Sequence, residues 1–250
     1  MTDITSNALS IETKIKDSAA WYENEEEVGN AIREFCKASG TPRSDVFYTT
    51  KLKLNNGYAN VKKAIQRSLD ACKLGYIDLY LVHGPIGGPR ARKESWRAIC
   101  DFQKDHPSLL RSIGVSNFGV RHLQELIDSG MTIPAVHQID LHPFMVRNDI
   151  VALSRKHGMA LEAWGPMVRA MRFGHPLLSK LAERYSKEEA QILLRYSIQK
   201  GYIPLPKSAS SSRIIRNAEI FDFCLTTEEM NDLDQLDEGL VTDWDPTNCP

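Results

Sequence analysis

Short apolar runs alternate with longer amphipathic stretches along most of the chain. From residue 46 onward, runs rich in β-branched and aromatic residues occur at 46–51, 77–82, 111–115, 135–139, 160–164 and 202–205, and each reads as a strand. Between them apolar positions recur at three- and four-residue steps, the period of a helix that buries one face. In 59–73, for example, Val61, Ala64, Ile65, Leu69 and Cys72 or Ala71 recur at these steps. Further helices are expected at 24–38, 92–104, 120–129, 148–157, 187–200 and 210–219, and Ser186-Lys187-Glu188-Glu189 has capping-box spacing. This alternation predicts repeated βα units around a parallel sheet.

Six strands are clear, Ile11–Lys16 supplies a seventh, and a closed (β/α)8 barrel needs eight. The seventh is itself unusual, because IETKIK alternates charge with apolar residues. The expected fold is therefore α/β, a (β/α)8 TIM-type barrel lacking its first βα unit, with residues 1–250 as a single domain. A one-strand gap would leave two sheet edges whose buried, unpaired backbone groups cost about 1–3 kcal/mol each, so a distorted or incompletely closed barrel is expected.

Composition narrows the function classes. With 31 basic and 32 acidic residues the formal charge is −1, which gives no electrostatic reason to expect nucleic acid or an anionic membrane as partner. The five cysteines are widely spaced without a C-x-x-C pair, so neither a disulfide framework nor a zinc site is expected. No basic-then-apolar leader and no run of about 18 apolar residues occurs, and a soluble cytoplasmic protein is expected. No metal site is expected, since His137 and His142 are five apart, on opposite faces of an extended strand. There is no G-x-S-x-G elbow and no G-x-G-x-x-G fingerprint.

The candidate chemistry lies in Asp17, Tyr22, Lys51 and His83, each at or just after the end of a β-like run: DSAAWYENEEEVG, FYTTKL and IDLYLVHGP. That is the layout of an active site at one end of a parallel barrel. Together with RSIGVSNF, AVHQIDLHP, LEAWGP and PLPKS, these segments closely resemble the aldo-keto reductase superfamily, from about Asp17 to the end of the chain. The resemblance implies reduction of an aldehyde or ketone to the alcohol with NADPH. It assigns Tyr22 as general acid, Lys51 as the cation that tunes it, Asp17 as the partner of Lys51, and His83 as the group that orients the carbonyl. Those residue types suit the task, because a nascent alkoxide needs a neutral acid within hydrogen-bond reach and a neighbouring ammonium makes a phenol a better one.

The cofactor positions implied by the resemblance lie downstream. Ser116, Asn117 and Gln138 match residues that hold the nicotinamide carboxamide, and Trp164 stands where an aromatic, commonly Tyr, stacks on the ring. Lys207, Ser208, Ser210, Arg213 and Asn217 match the segment that grips the adenosine 2′-phosphate, which favours NADPH over NADH. Arg216 stands where many relatives have an acidic residue. Substrate contacts are expected from His83, Trp21 and, in the tail, Trp244.

The chain departs from the family pattern at several points. Relatives carry a β-hairpin, a strand with a Gly-Thr-Trp-like turn and a helix before the Asp17 position, and here sixteen residues precede it. The expectation is either a truncated coding sequence or a real loss of that unit. Lys53 stands where relatives have Trp, Gly84 replaces the Trp of a His-Trp-Pro, and Glu23 replaces a glycine beside Tyr22. Both lost indoles predict a wider, less apolar mouth. The expected partner is a small carbonyl compound, and the expected assembly a monomer or weak homodimer. Two further readings remain open at this stage: a cofactor-binding, non-catalytic regulatory barrel, and a tailoring reductase on a biosynthetic pathway.

Overall fold

A computed structural model describes residues 15–250. The part of the first predicted strand at 11–14 lies outside the described residues. Strands and helices alternate through the chain: β1 (Ile15–Asp17), α1 (Glu25–Ser39), β2 (Phe47–Leu52), α2 (Tyr58–Cys72), β3 (Ile77–Val82), α3 (Gly88–Asp105), β4 (Leu110–Ser116), α4 (Val120–Asp128), β5 (Val136–Asp140), α5 (Asn148–Lys156), β6 (Ala160–Trp164), α6 (Pro176–Tyr185), α7 (Glu189–Gln199), β7 (Ile203–Leu205), α8 (Ser211–Ala218) and α9 (Thr227–Asp234). The seven strands follow one another in sequence order, and β1–β2, β2–β3, β3–β4 and β6–β7 pair in parallel. The fold is thus of the (β/α)8 type with seven strands among the described residues. Among them, no helix is long and apolar enough to cross a membrane.

The chain forms two units, one running to His137 and taking in Pro246–Pro250, the other Gln138–Asp245. In the first, β3 is buried along its whole length, as befits a strand covered on both faces. Ile32, Val61, Ile65, Tyr48, Ile77, Leu79 and Trp96 form its fully buried interior. Helices α1 and α2 meet at Gly29, where an added Cβ would sit 2.0 Å from the Cys72 carbonyl oxygen, so that contact admits only hydrogen. Register decides what stands at the strand ends. Asp17 is level with Thr49, Lys51 with Leu81 and Leu52 with Val82, so the residues following β2 and β3 emerge side by side. Lys16, the charged residue inside β1, is buried, and burial pulls its pKa down to about 8.

The second unit packs Val168, Leu178, Leu181, Ile192, Leu193, Tyr196, Leu225 and Leu233 together. Two of its helices escaped the sequence reading. Helix α6 begins with Pro176 after the His175 cap, whose ring accepts a 3.3 Å bond from the Leu177 N–H. Helix α9 opens with a capping box, Thr226 N–H to Glu229 Oε2 at 2.7 Å and Glu229 N–H to Thr226 Oγ1 at 3.2 Å. The box expected at Ser186 is not there. Ser186 closes α6 in the left-handed region, φ 53°, and Glu188 caps α7, its N–H donating to Gln191 Oε1 at 2.8 Å. A helix had already claimed Ser186 at its C-terminal end. The third helix also begins earlier than its periodicity indicated, at Gly88 with Pro89 in the first turn.

Candidate functional site

Lys51 lies near the C-terminal end of β2 and is fully buried, where an unpaired ammonium would be untenable. Its Nζ pairs with Asp17 Oδ1 at the end of β1 and donates to the Ser18 carbonyl at 2.9 Å. The Ser18 carbonyl is a partner that residue types alone did not reveal. Ser18 is itself held, its N–H donating to the Thr49 carbonyl at 2.9 Å and its hydroxyl to Asn24 Oδ1 at 2.7 Å. Beyond it, Ala20–Tyr22 form a single 3-10 turn that ends at Glu23 with φ 54°. A left-handed Glu is disfavoured where a glycine would be free.

The turn presents Tyr22 with 51% of its surface exposed. Lys51 Nζ lies 5.0 Å from the Tyr22 ring centroid, and the Tyr22 ring meets His83 edge-on at 5.5 Å. Trp21 meets the same imidazole at 5.1 Å. His83 follows β3, its N–H bonding the Leu52 carbonyl at 3.4 Å, and its own carbonyl accepts from Asn117 Nδ2 at 2.9 Å. Asn117 adopts φ 60°, a conformation Asn tolerates better than most residues. The structure thus gathers Asp17, Trp21, Tyr22, Lys51, His83 and Asn117, and buries Ser116 next to Asn117 at the end of β4.

Burial, reinforced by the nearby Lys51 charge, lowers the His83 pKa from 6.5 to about 3. The imidazole is therefore neutral at physiological pH, with one N–H to donate and one nitrogen to accept. The unfolded chain binds a proton below pH 6.5 that the folded chain refuses until about pH 3. This contribution to stability is full above pH 6.5 and falls with decreasing pH across that window, at about 1.4 kcal/mol per pH unit. Urea unfolding at pH 7.5 and 5.5 is expected to show a smaller acid loss in His83→Asn than in the unmodified chain. Equal losses would refute that link.

In the second unit, Gln138 on β5 donates from Nε2 to Glu162 on β6 at 2.8 Å, both buried. Glu162 was missed, although a carboxylate in the apolar strand ALEAW is itself a signal. Trp164 ends β6 half-buried. After it the chain makes a left-handed turn, Val168, Arg169 and Ala170 having φ of 48°, 48° and 61°. A buried β-branched residue is rarely found in that region. After β7, Ser210 precedes α8 and its N–H donates to Ser208 Oγ at 3.2 Å. Lys207 and Arg213 are exposed and, among the described residues, have no ion-pair partner; Asn217 is half-buried on the same helix. Arg216 pairs with Glu188 at 2.7 Å.

The tail is held in both units. Thr242 donates from N and Oγ1 to the buried Asp140 Oδ2 at 3.2 and 2.9 Å, and Arg147 pairs with Asp245 at 3.2 Å. Trp244 lies between these anchors, half-buried. In the first unit, buried Arg92 donates to the Pro250 carbonyl at 2.7 Å, and Gly119 admits the Thr247 carbonyl where a Cβ would lie 2.0 Å away.

Known proteins resemble this chain in sequence and in fold. The Aldo/keto reductase family matches residues 2–238. An uncharacterized oxidoreductase of Schizosaccharomyces pombe is 44% identical over 94% of this chain and 84% of its own length. A glyoxal reductase of Bacillus subtilis is 39% identical over 89% and 78%. A Bombyx mori aldo-keto reductase solved in complex with NADP superposes with a TM-score of 0.87 at 34% identity, covering 98% of this chain and 85% of that one. With the strand order and a family match across nearly the whole sequence in agreement, the chain belongs to the aldo-keto reductase family.

Proposed function

We propose that this oxidoreductase reduces an aldehyde or ketone to the alcohol with NADPH, using Tyr22 as the acid. The observation that carries the reading is the cluster at the ends of β1, β2 and β3: a fully buried ammonium held by Asp17 and Ser18, 5.0 Å from an exposed phenol that a neutral imidazole flanks at 5.5 Å. Tyr22 donates its hydroxyl proton to the carbonyl oxygen as charge develops there, and the Lys51 ammonium stabilises the phenolate left behind. Asp17 and the Ser18 carbonyl keep that ammonium aimed at the phenol rather than free to turn away. His83 donates a hydrogen bond to the same oxygen and fixes the approach of the carbonyl carbon.

A reduced nicotinamide, when bound, supplies the hydride. The residues of the second unit suit such a group. Lys207 and Arg213 are solvent-facing cations without ion-pair partners among the described residues, at the start of a helix whose first N–H groups favour an anion. Gln138 offers an amide in that unit; in the first unit, taken by itself, Ser116 offers a hydroxyl and Asn117 an amide. Trp164 provides a flat apolar face. The tail residue Trp244 and Trp21 are assigned to the substrate. We place the protein in the cytoplasm and assign it no nucleic-acid or membrane partner, and we take it to act as a monomer or weak homodimer.

Titration with NADPH, followed by tryptophan fluorescence, is expected to give saturable quenching. Lys207→Ala combined with Arg213→Ala is expected to weaken binding by about 10- to 100-fold, the loss of one or two charge-assisted hydrogen bonds. Unchanged affinity in the double variant would overturn the assignment of the phosphate segment.

A further inference from the structure

The connections that follow β1, β2 and β3 are tied to one another. Asn55 donates from Nδ2 to the carbonyls of Gly84 and Ile86 at 2.9 and 2.7 Å, joining the second connection to the third. Lys53 Nζ meets Glu23 Oε1 at 3.2 Å, joining the second to the first. Within residues 18–24, 53–57 and 83–87, Glu23 and Lys53 are the only charged side chains, because His83 is held neutral. Both are at the place where chemistry is proposed. Glu23 follows Tyr22 directly, and since Leu52 is level with Val82, Lys53 emerges beside His83 on the neighbouring strand, at about the 4.8 Å strand spacing. Trp21, Leu54 and Ile86 give this rim an exposed apolar surface, and its remaining polar side chains are uncharged.

We propose that Lys53 is a specificity residue that recognises carbonyl substrates bearing a carboxylate, and that Glu23 is its built-in competitor. The inference rests on the reductase reading and names the substrate class for that same site. Glu23 is 78% exposed and Lys53 42%, so the pair is held weakly and solvent already reaches both partners. An incoming carboxylate therefore displaces Glu23 from Lys53 at little expense. With its carbonyl at Tyr22 and His83, such a substrate places its aryl or alkyl body on the apolar rim and its anion on the one cation there. A neutral substrate gains nothing from Lys53 and leaves the pair closed. An arginine in place of Lys53 keeps the charge, a methionine keeps the stem and removes it.

The test compares kcat/KM for 4-carboxybenzaldehyde with that for its neutral methyl ester, using NADPH, in the unmodified chain and in three variants. Glu23→Gln is expected to raise the carboxylate-to-ester ratio about two- to fivefold by freeing Lys53, and Lys53→Met to lower it about fivefold, while Lys53→Arg holds it. The changes are expected in KM rather than kcat, because the anion contact is equal in ground and transition states. Reduction of the ester with an unchanged ratio in Glu23→Gln and Lys53→Met would overturn the inference and leave the reductase reading standing. Reduction of neither aldehyde by the unmodified chain would overturn both.

Discussion

Replacing Tyr22 by Phe is expected to lower NADPH-dependent carbonyl reduction by about 10²- to 10⁴-fold, the usual contribution of a positioned general acid. The substitution removes one oxygen. It keeps the ring that meets His83 at 5.5 Å and faces the Lys51 ammonium at 5.0 Å, so the packing of the turn is retained. Because Tyr22 is half exposed, the lost hydroxyl leaves no cavity. The loss should therefore fall on kcat, with NADPH affinity unchanged in the fluorescence titration. Steady-state NADPH oxidation with an aromatic aldehyde checks it, and activity within tenfold of the unmodified chain would exclude Tyr22 as the acid. Lys51 makes a poorer first test, because removing it also takes away the ammonium that Asp17 and the Ser18 carbonyl hold.

The second large effect is on stability, at the opposite end of the strands. Asp78 near the start of β3 is almost fully buried. It accepts from Arg43 at 2.8 Å and from the Tyr48 N–H at 3.0 Å through Oδ2, and from Arg111 at 3.3 Å through Oδ1. The two guanidinium groups lie against the Tyr76 ring at 4.1 and 3.6 Å. Asp78→Ala leaves the Tyr48 N–H without its acceptor and takes the carboxylate from the largely buried Arg43, which keeps only the neutral carbonyls of Val46 and Tyr76 and the Tyr76 hydroxyl. Removing one partner of a buried pair costs about 3–5 kcal/mol, and the half-exposed Arg111 adds little. The expected loss is about 3 kcal/mol, or roughly 10 °C in Tm for a chain of this size. Asp78→Asn should recover part of it, since the amide still accepts one bond. A loss below about 1 kcal/mol in Asp78→Ala, by urea unfolding, would show the network to be ornamental to the fold.

How far these sites were legible in the sequence differs by residue. The run that became β3 was legible because a strand covered on both faces is written as a near-continuous apolar stretch, and IDLYLV is buried throughout. The capping box of α9 was spelled out as Thr226-Thr227-Glu228-Glu229 and went unread, whereas Ser186 spelled one that does not form. A local motif records which bonds a segment is able to make. Which of them it does make depends on whether the neighbouring helix ends before or after it.

The residue types of the site were determined by the sequence alone. Asp17, Tyr22, Lys51 and His83 stand at the ends of strand-like runs, and side-chain chemistry limits what a phenol, an ammonium and an imidazole so placed are able to do. The tertiary structure decided the rest. Parallel register set Lys53 beside His83 and joined it to Glu23, thirty residues earlier in the chain, and burial drew His83 down to a pKa of about 3. The Ser18 carbonyl became a partner of Lys51, and Val168 was held at φ 48° in a turn its side chain disfavours. The physical reason is one of range. Strand and helix periods, caps and charges act over a few residues and are written locally, whereas desolvation, ion pairing and imposed backbone strain depend on which distant segments the fold brings into contact.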